Sequence, residues 1–149
     1  MASMGKDIGS EVLVYGNIAV TAAAVATVNG KAVNIAALPA RPQSVRALVH
    51  LKANLDSADT LVVDNIKLVS DSASNFAGAV TRVTAADQTL TGTATDVDYW
   101  GDVVLDYDLT QLPEAHTWIR LSARVTLSDT TNTTGAVAGV FVFGGLSVA

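Results

Sequence analysis

Cysteine is absent from this chain, which removes disulfides, thiolate metal ligands and cysteine nucleophiles together. Charge is scarce as well: charged residues make up 15% of the sequence, against about 25% in ordinary globular domains. Nine Lys plus Arg face fourteen Asp plus Glu, for a net charge of −5, so no basic patch is available for nucleic acid or an anionic membrane surface. The only imidazoles are His50 and His116, and neither lies in a nucleophile-elbow, zincin or triad signature. A closed zinc site would need carboxylates to complete it. These absences predict no enzyme activity, no cofactor and no metal. Long apolar runs are missing too. The stretch Gly135–Ala149 (GAVAGVFVFGGLSVA) falls short of the ~20 residues that span a bilayer and is broken by glycines, so it reads as a buried strand. The first residues, MASMGKDIGSEV, lack the apolar segment of roughly 7–15 residues of a secretory signal, and the expectation is a chain made and used without export.

What the chain does have is aliphatic residues in alternation. Hydrophobic residues form 50% of its 149 positions, aromatics only 5%, so Ala, Val, Leu and Ile carry the apolar content of a single core. In Val45–Ala53 the residues Val45, Ala47, Val49, Leu51 and Ala53 share one face; in Thr117–Leu127, Ile119, Leu121, Ala123, Val125 and Leu127 do the same. Both patterns predict strands with one buried side. Further strands are expected at Glu11–Tyr15, Thr21–Val28, Thr60–Val69, Ala77–Val83, Thr89–Thr95, Val103–Tyr107 and Val137–Phe143, separated by Asp, Ser, Asn and Gly clusters. Asn29-Gly30 between VATV and KAVNI predicts a two-residue type I′ hairpin with Gly30 at positive φ. Two Glu and four Lys offer little helix-favouring surface, and only a short helical turn is expected, near Leu109–Ala115, where Leu109 and Leu112 can plug one end of the fold. The prediction is an all-β, single-domain, jelly-roll-like β-sandwich of nine or ten strands over residues 11–149, preceded by a flexible arm, residues 1–10.

Two groups of residues invite a chemical reading. Asp96, Asp98, Asp102, Asp106 and Asp108 crowd the segment TDVDYWGDVVLDYD, where oxygen ligands for calcium could gather. The fifth position of a calcium loop is Trp100 here, and no Glu follows at the twelfth, so the plainer reading is two strands whose acids discourage edge pairing. A carboxylate pair for glycoside hydrolysis is disfavoured by the shortage of aromatics. Tyr99, Trp100 and Tyr107 beside these acids are the candidate glycan-binding residues, with closure of the sandwich end or a subunit contact as the competing reading. Asn132-Thr133-Thr134 fits the N-glycosylation pattern and reads as a polar loop.

A surface rich in Ala, Thr, Ser and Val with so few charges is best tolerated when much of it is covered in an assembly, here expected to be a homo-oligomer and foremost a trimer. The mix of Ala, Val, Thr and Gly, with little Lys or Glu, no Cys and no export signal, resembles the small β-sandwich decoration (cement) proteins of tailed bacteriophages. The resemblance implies a structural role on the capsid surface of a virion. It also implies that the major capsid protein is the partner, held through the N-terminal arm, for which Met1, Lys6, Asp7, Ile8 and Glu11 are the candidates. A phage head-fibre, tail or baseplate module that binds host glycans is the alternative.

Overall fold

The computed structural model describes residues 12–20, 26–38, 40–129 and 133–145. Ten strand segments run in antiparallel pairs: β1 (Val12–Val20), β2 (Ala26–Asn29), β3 (Val33–Asn34), β4 (Ser44–Leu55), β5 (Thr60–Asp71), β6 (Val80–Thr84), β7 (Gln88–Thr91), β8 (Val97–Asp108), β9 (Trp118–Leu127) and β10 (Thr134–Gly144). They form two sheets, β1-β10-β4-β8 and β2-β9-β5-β6, with β3 added on β9 and β7 on β5. When β2 with β3, and β6 with β7, are each taken as one interrupted strand, eight remain. Their order is 1-8-3-6 in the first sheet and 2-7-4-5 in the second, the double Greek key of a jelly roll. The all-β sandwich expected from the sequence is the fold found.

The core lies between the sheets and is built by alternation. Val45, Ala47, Val49, Leu51, Ala53 and Leu55 of β4 point inward with Phe141 and Phe143 of β10, and Ile119, Leu121, Ala123, Val125 and Leu127 of β9 face them from the other sheet. Strand β5 departs from strict alternation. A bulge between Asp64 and Lys67, with Asn65 at φ 52, adds one residue, so the buried set changes from Leu61 and Val63 to Ile66 and Leu68. Asn is among the few residues that enter the left-handed region at modest cost. The expected plug is present: a 3-10 turn, Leu109–Gln111, capped by the Asp108 carboxylate, buries Leu109 and Leu112. A second 3-10 turn at Ile35–Ala37, capped by Asn34, has no counterpart in the sequence reading.

The Asn29-Gly30 hairpin is not there. β2 and β3 do not pair with each other; both run along β9, with Ala26 opposite Val125 and Val33 opposite Ile119, and a one-residue register change between them. The Gly30 N–H donates to the Leu121 carbonyl at 2.8 Å, and among the described residues the only glycine at positive φ is Gly145. Pairing with a ten-residue neighbour buries Val28, Val33 and Ile35 together, a gain that a tight local turn cannot offer. Residues 1–11, and with them Met1, Lys6, Asp7, Ile8, Glu11 and the arm they were assigned to, lie outside the described residues, as do Asn132 and positions 21–25 of the strand expected at Thr21–Val28.

Candidate functional site

The acidic segment is one strand rather than two. β8 runs unbroken over Val97–Asp108, so Asp98, Trp100, Asp102, Val104 and Asp106 all fall on the outward face, while Val103 and Leu105 face the core. Asp96 precedes the strand at φ 56, its N–H donating to the Asp56 carboxylate at 2.8 Å. The neighbouring strand β4 sends Arg46, Leu48, His50, Lys52 and Asn54 to the same face.

Register then matches the two strands row by row: Arg46 opposite Asp106, Leu48 opposite Val104, His50 opposite Asp102, Lys52 opposite Trp100, and Asn54 opposite Asp98. The Arg46 guanidinium grips Asp106 with two hydrogen bonds of 2.7 and 3.0 Å. His50 Nδ1 lies 2.6 Å from Asp102 Oδ1, and Asn54 donates to Asp98 at 3.1 Å. Lys52 sits 3.4 Å from Asp98 on the diagonal and 6.0 Å from the Trp100 ring, a cation–π contact. Asp98, Asp102 and Asp106 thus each have a partner on β4. Among the described residues no three His, Asp or Glu side chains gather closely enough to hold a metal ion. Between the polar rows Leu48, Val104 and Trp100 are 41%, 52% and 58% exposed.

The three aromatics proposed for glycan stacking are not brought together. Tyr99 and Tyr107 lie at odd positions of β8 and pack half-buried against the core, and Trp100 alone faces outward. The period-2 geometry of a strand makes adjacent residues diverge, so Tyr99 and Trp100 could share a face only if that segment were a loop. The Tyr99 hydroxyl instead lies 3.0 Å from Thr93 Oγ1 and accepts from the Thr93 N–H at 2.8 Å. Beyond Tyr107, Arg46, Asp106, Asp108 and Val142 line an open cavity of about 520 Å³ at the end of the sheet. Neither histidine reaches it.

A polar cluster that no spacing signals forms at one edge of the sandwich. Ser70, fully buried, accepts from Arg82 Nε at 2.7 Å and lies 2.9 Å from His116 Nδ1, which is itself 3.1 Å from Arg82 Nη2. Arginine only donates, so His116 Nδ1 is the acceptor in this triangle. The contact pairs a serine with an imidazole 46 residues away, yet Ser70 is closed off from any substrate. Nor does Asp71 orient the ring: its carboxylate accepts from the amides of Ala73 and Gly78, at 3.2 and 2.8 Å, and so shapes the loop that follows β5. That loop carries Phe76, at φ 54, back over the outer surface of its sheet, where the ring lies 4.2 Å from the Arg120 guanidinium. The arrangement seals an edge of the sandwich. Burial lowers the pKa of Arg120, opposed by the charge of Asp71.

Several carboxyl groups are held below the ordinary Asp value of 3.8, Asp106 by its hydrogen bonds from Arg46, Asp64 by Arg124, Asp108 by Thr110, and Asp98 by Asn54 and then Lys52. For Asp71 burial works against ionisation, and the amides of Gly78 and Ala73 outweigh it. Folded values below unfolded ones mean stability that is present above pH 3.8 and lost as pH falls through the lower folded values. The midpoint of thermal unfolding should therefore hold between pH 7 and 5 and drop below about pH 4, less steeply in high salt because the pairs are exposed. A midpoint unchanged down to pH 2.5 would show that these carboxylates contribute nothing to the folded state.

No protein-family model matches the chain, and no curated protein matches it. Among solved structures it is similar to one described as "CBM4 structure and function", with a TM-score of 0.37 and 16% identity over 97% of this chain and 81% of that chain.

Proposed function

We propose that this chain is a non-catalytic structural subunit of a virion, a decoration protein that adds protein contact to a capsid shell. The observation that carries the reading is the outer face of β4 and β8. Arg46 is matched with Asp106 and His50 with Asp102 in shared rows, and Lys52 with Asp98 on the diagonal, which leaves a plane with little net charge and with Leu48, Val104 and Trp100 exposed across it. Such a plane suits lateral packing against protein, where buried unpaired charge would be costly and apolar area is favourable. The serine that meets His116 is fully buried, which supports a structural rather than a catalytic role.

The experiment is to purify particles and measure the copy number of this chain against the major capsid protein, then to compare the heat tolerance of particles with and without it. Fixed stoichiometry and a lower disruption temperature on omission are expected. A second reading has one observation in its favour: Trp100, flanked on its own face by Asp98 and Asp102, could stack on a sugar ring. Particles that withstand heat equally well without the chain but fail to attach to host cells, with Trp100→Ala reproducing that failure, would reject the decoration role in favour of glycan binding.

A further inference from the structure

We propose that the outer face formed by β4 and β8 binds the same face of a second copy, about a two-fold axis that runs along the strands midway between β4 and β8. The inference rests on the structural reading of this face and goes further by naming its occupant and geometry. It follows from the row-by-row register. An axis along the strands keeps every row at its own height and exchanges the two strands, so β4 of one copy lies over β8 of the other. Arg46 then meets the second copy's Asp106, Leu48 its Val104, His50 its Asp102, Lys52 its Trp100 and Asn54 its Asp98, since these are the pairs that already share a row within one chain.

The other in-plane axis, across the strands through the His50 row, gives the opposite result. It keeps each strand over its own copy and inverts the rows, which sets Asp106 over Asp98 and Asp102 over Asp102. Like charges brought face to face at an interface are strongly disfavoured, so electrostatics selects the axis along the strands. Apolar contact comes from Leu48 and Val104, which this axis sets over one another near the middle of the strands; Val140 of β10, in the same row, lies outside the overlap. The contact is small. About this axis only β4 and β8 of each copy overlap, and 12 residues at standard spacings give a patch of ~37 Å by ~10 Å, about 370 Å² of sheet per copy, the size of a weak contact that forms at high protein concentration.

The test uses the chain alone, in sedimentation velocity at low salt and at concentrations up to about 100 µM. The wild type is expected to form a dimer of the 15.3 kDa chain, weakened at high salt. Leu48→Lys and Val104→Glu change exposed side chains and should leave the circular dichroism unchanged, yet each alone should reduce dimerisation at least tenfold. Mixed one to one they should dimerise again, as a heterodimer, because the lysine introduced in one copy now lies over the glutamate introduced in the other. A monomeric wild type, a trimer, a dimer indifferent to both substitutions, or a mixture that fails to reassociate would each overturn the proposal. A monomer that still binds shells would overturn the two-fold contact and leave the decoration reading standing. A dimer that obeys the rescue but binds no shell would support the contact and reject that reading.

Discussion

Replacing Phe141 with alanine should cost about 3–5 kcal/mol of folding stability, the usual cost of removing a large buried aromatic side chain. The chain has only three phenylalanines, and Phe141, fully buried, stands at the middle of the sandwich with its ring centroid 5.9 Å from that of Phe143. Its surroundings are mainly Val, Leu and Ala, short side chains on strands fixed by their ladders, so the space left by the ring cannot be refilled by small rotations. A domain of this size gains or loses roughly 2–4 °C in melting temperature per kcal/mol, which predicts a fall on the order of 10 °C. Val142→Ala, one position along on the half-buried outer face, should move the midpoint far less. Thermal unfolding followed by circular dichroism distinguishes them. Equal, small shifts for both would mean that the two sheets do not close on Phe141.

Alternation of this kind was legible in the sequence for two other strands. Strands β4 and β9 are long and place apolar residues at every second position, so residue type alone puts Val45, Ala47, Val49, Leu51 and Ala53, and Ile119, Leu121, Ala123, Val125 and Leu127, on the inside. Local pattern failed where a partner distant in sequence decides the outcome. Asn29-Gly30 has the chemistry of a tight turn, but β9, some ninety residues later, offers both arms a ladder and a core, and nothing within Ala26–Asn34 announces that strand. The acids of β8 read as a cluster because their cations are contributed by β4, about fifty residues earlier. In β5 the strand expected at Thr60–Val69 is present, but one extra residue at the bulge exchanges inside for outside, so local pattern does not give its facing. The Ser70–Arg82–His116 triangle is likewise a product of topology, with no motif spacing to reveal it.

Glycines show the same contrast between local chemistry and tertiary approach, and they yield the second large effect. Gly30, expected from the sequence to need positive φ, has ordinary contacts: a methyl group there would lie 3.5 Å from the Leu121 carbonyl, at a φ outside the left-handed region, so Gly30→Ala should be nearly neutral. Gly92, to which the sequence assigned no role, is the vulnerable position. It is buried against the turn between β4 and β5, where its N–H donates to the Asp59 carbonyl at 2.8 Å and its carbonyl accepts from the Ala58 N–H at 2.9 Å. A methyl group at Gly92 would overlap the Asp56 carbonyl oxygen and lie 3.0 Å from Leu55 Cβ. The obstacle is backbone, and that backbone has little room to give. Ala58 is held at φ 71, the Asp56 carboxylate is fixed by the Asp96 N–H, and Leu55 is fully buried. Gly92→Ala should therefore cost about 3 kcal/mol, at the upper end for overpacking because main chain rather than a side-chain tip must move. It should also loosen the turn that carries the chain from one sheet to the other. The measurement is urea unfolding of both alanine variants beside the wild type, with amide hydrogen exchange at Ala58 and Gln88–Thr91 reporting the local effect. A Gly92→Ala protein as stable as Gly30→Ala, with unchanged exchange at Ala58, would show that the β4–β5 turn and Gly92 are not in close contact in solution.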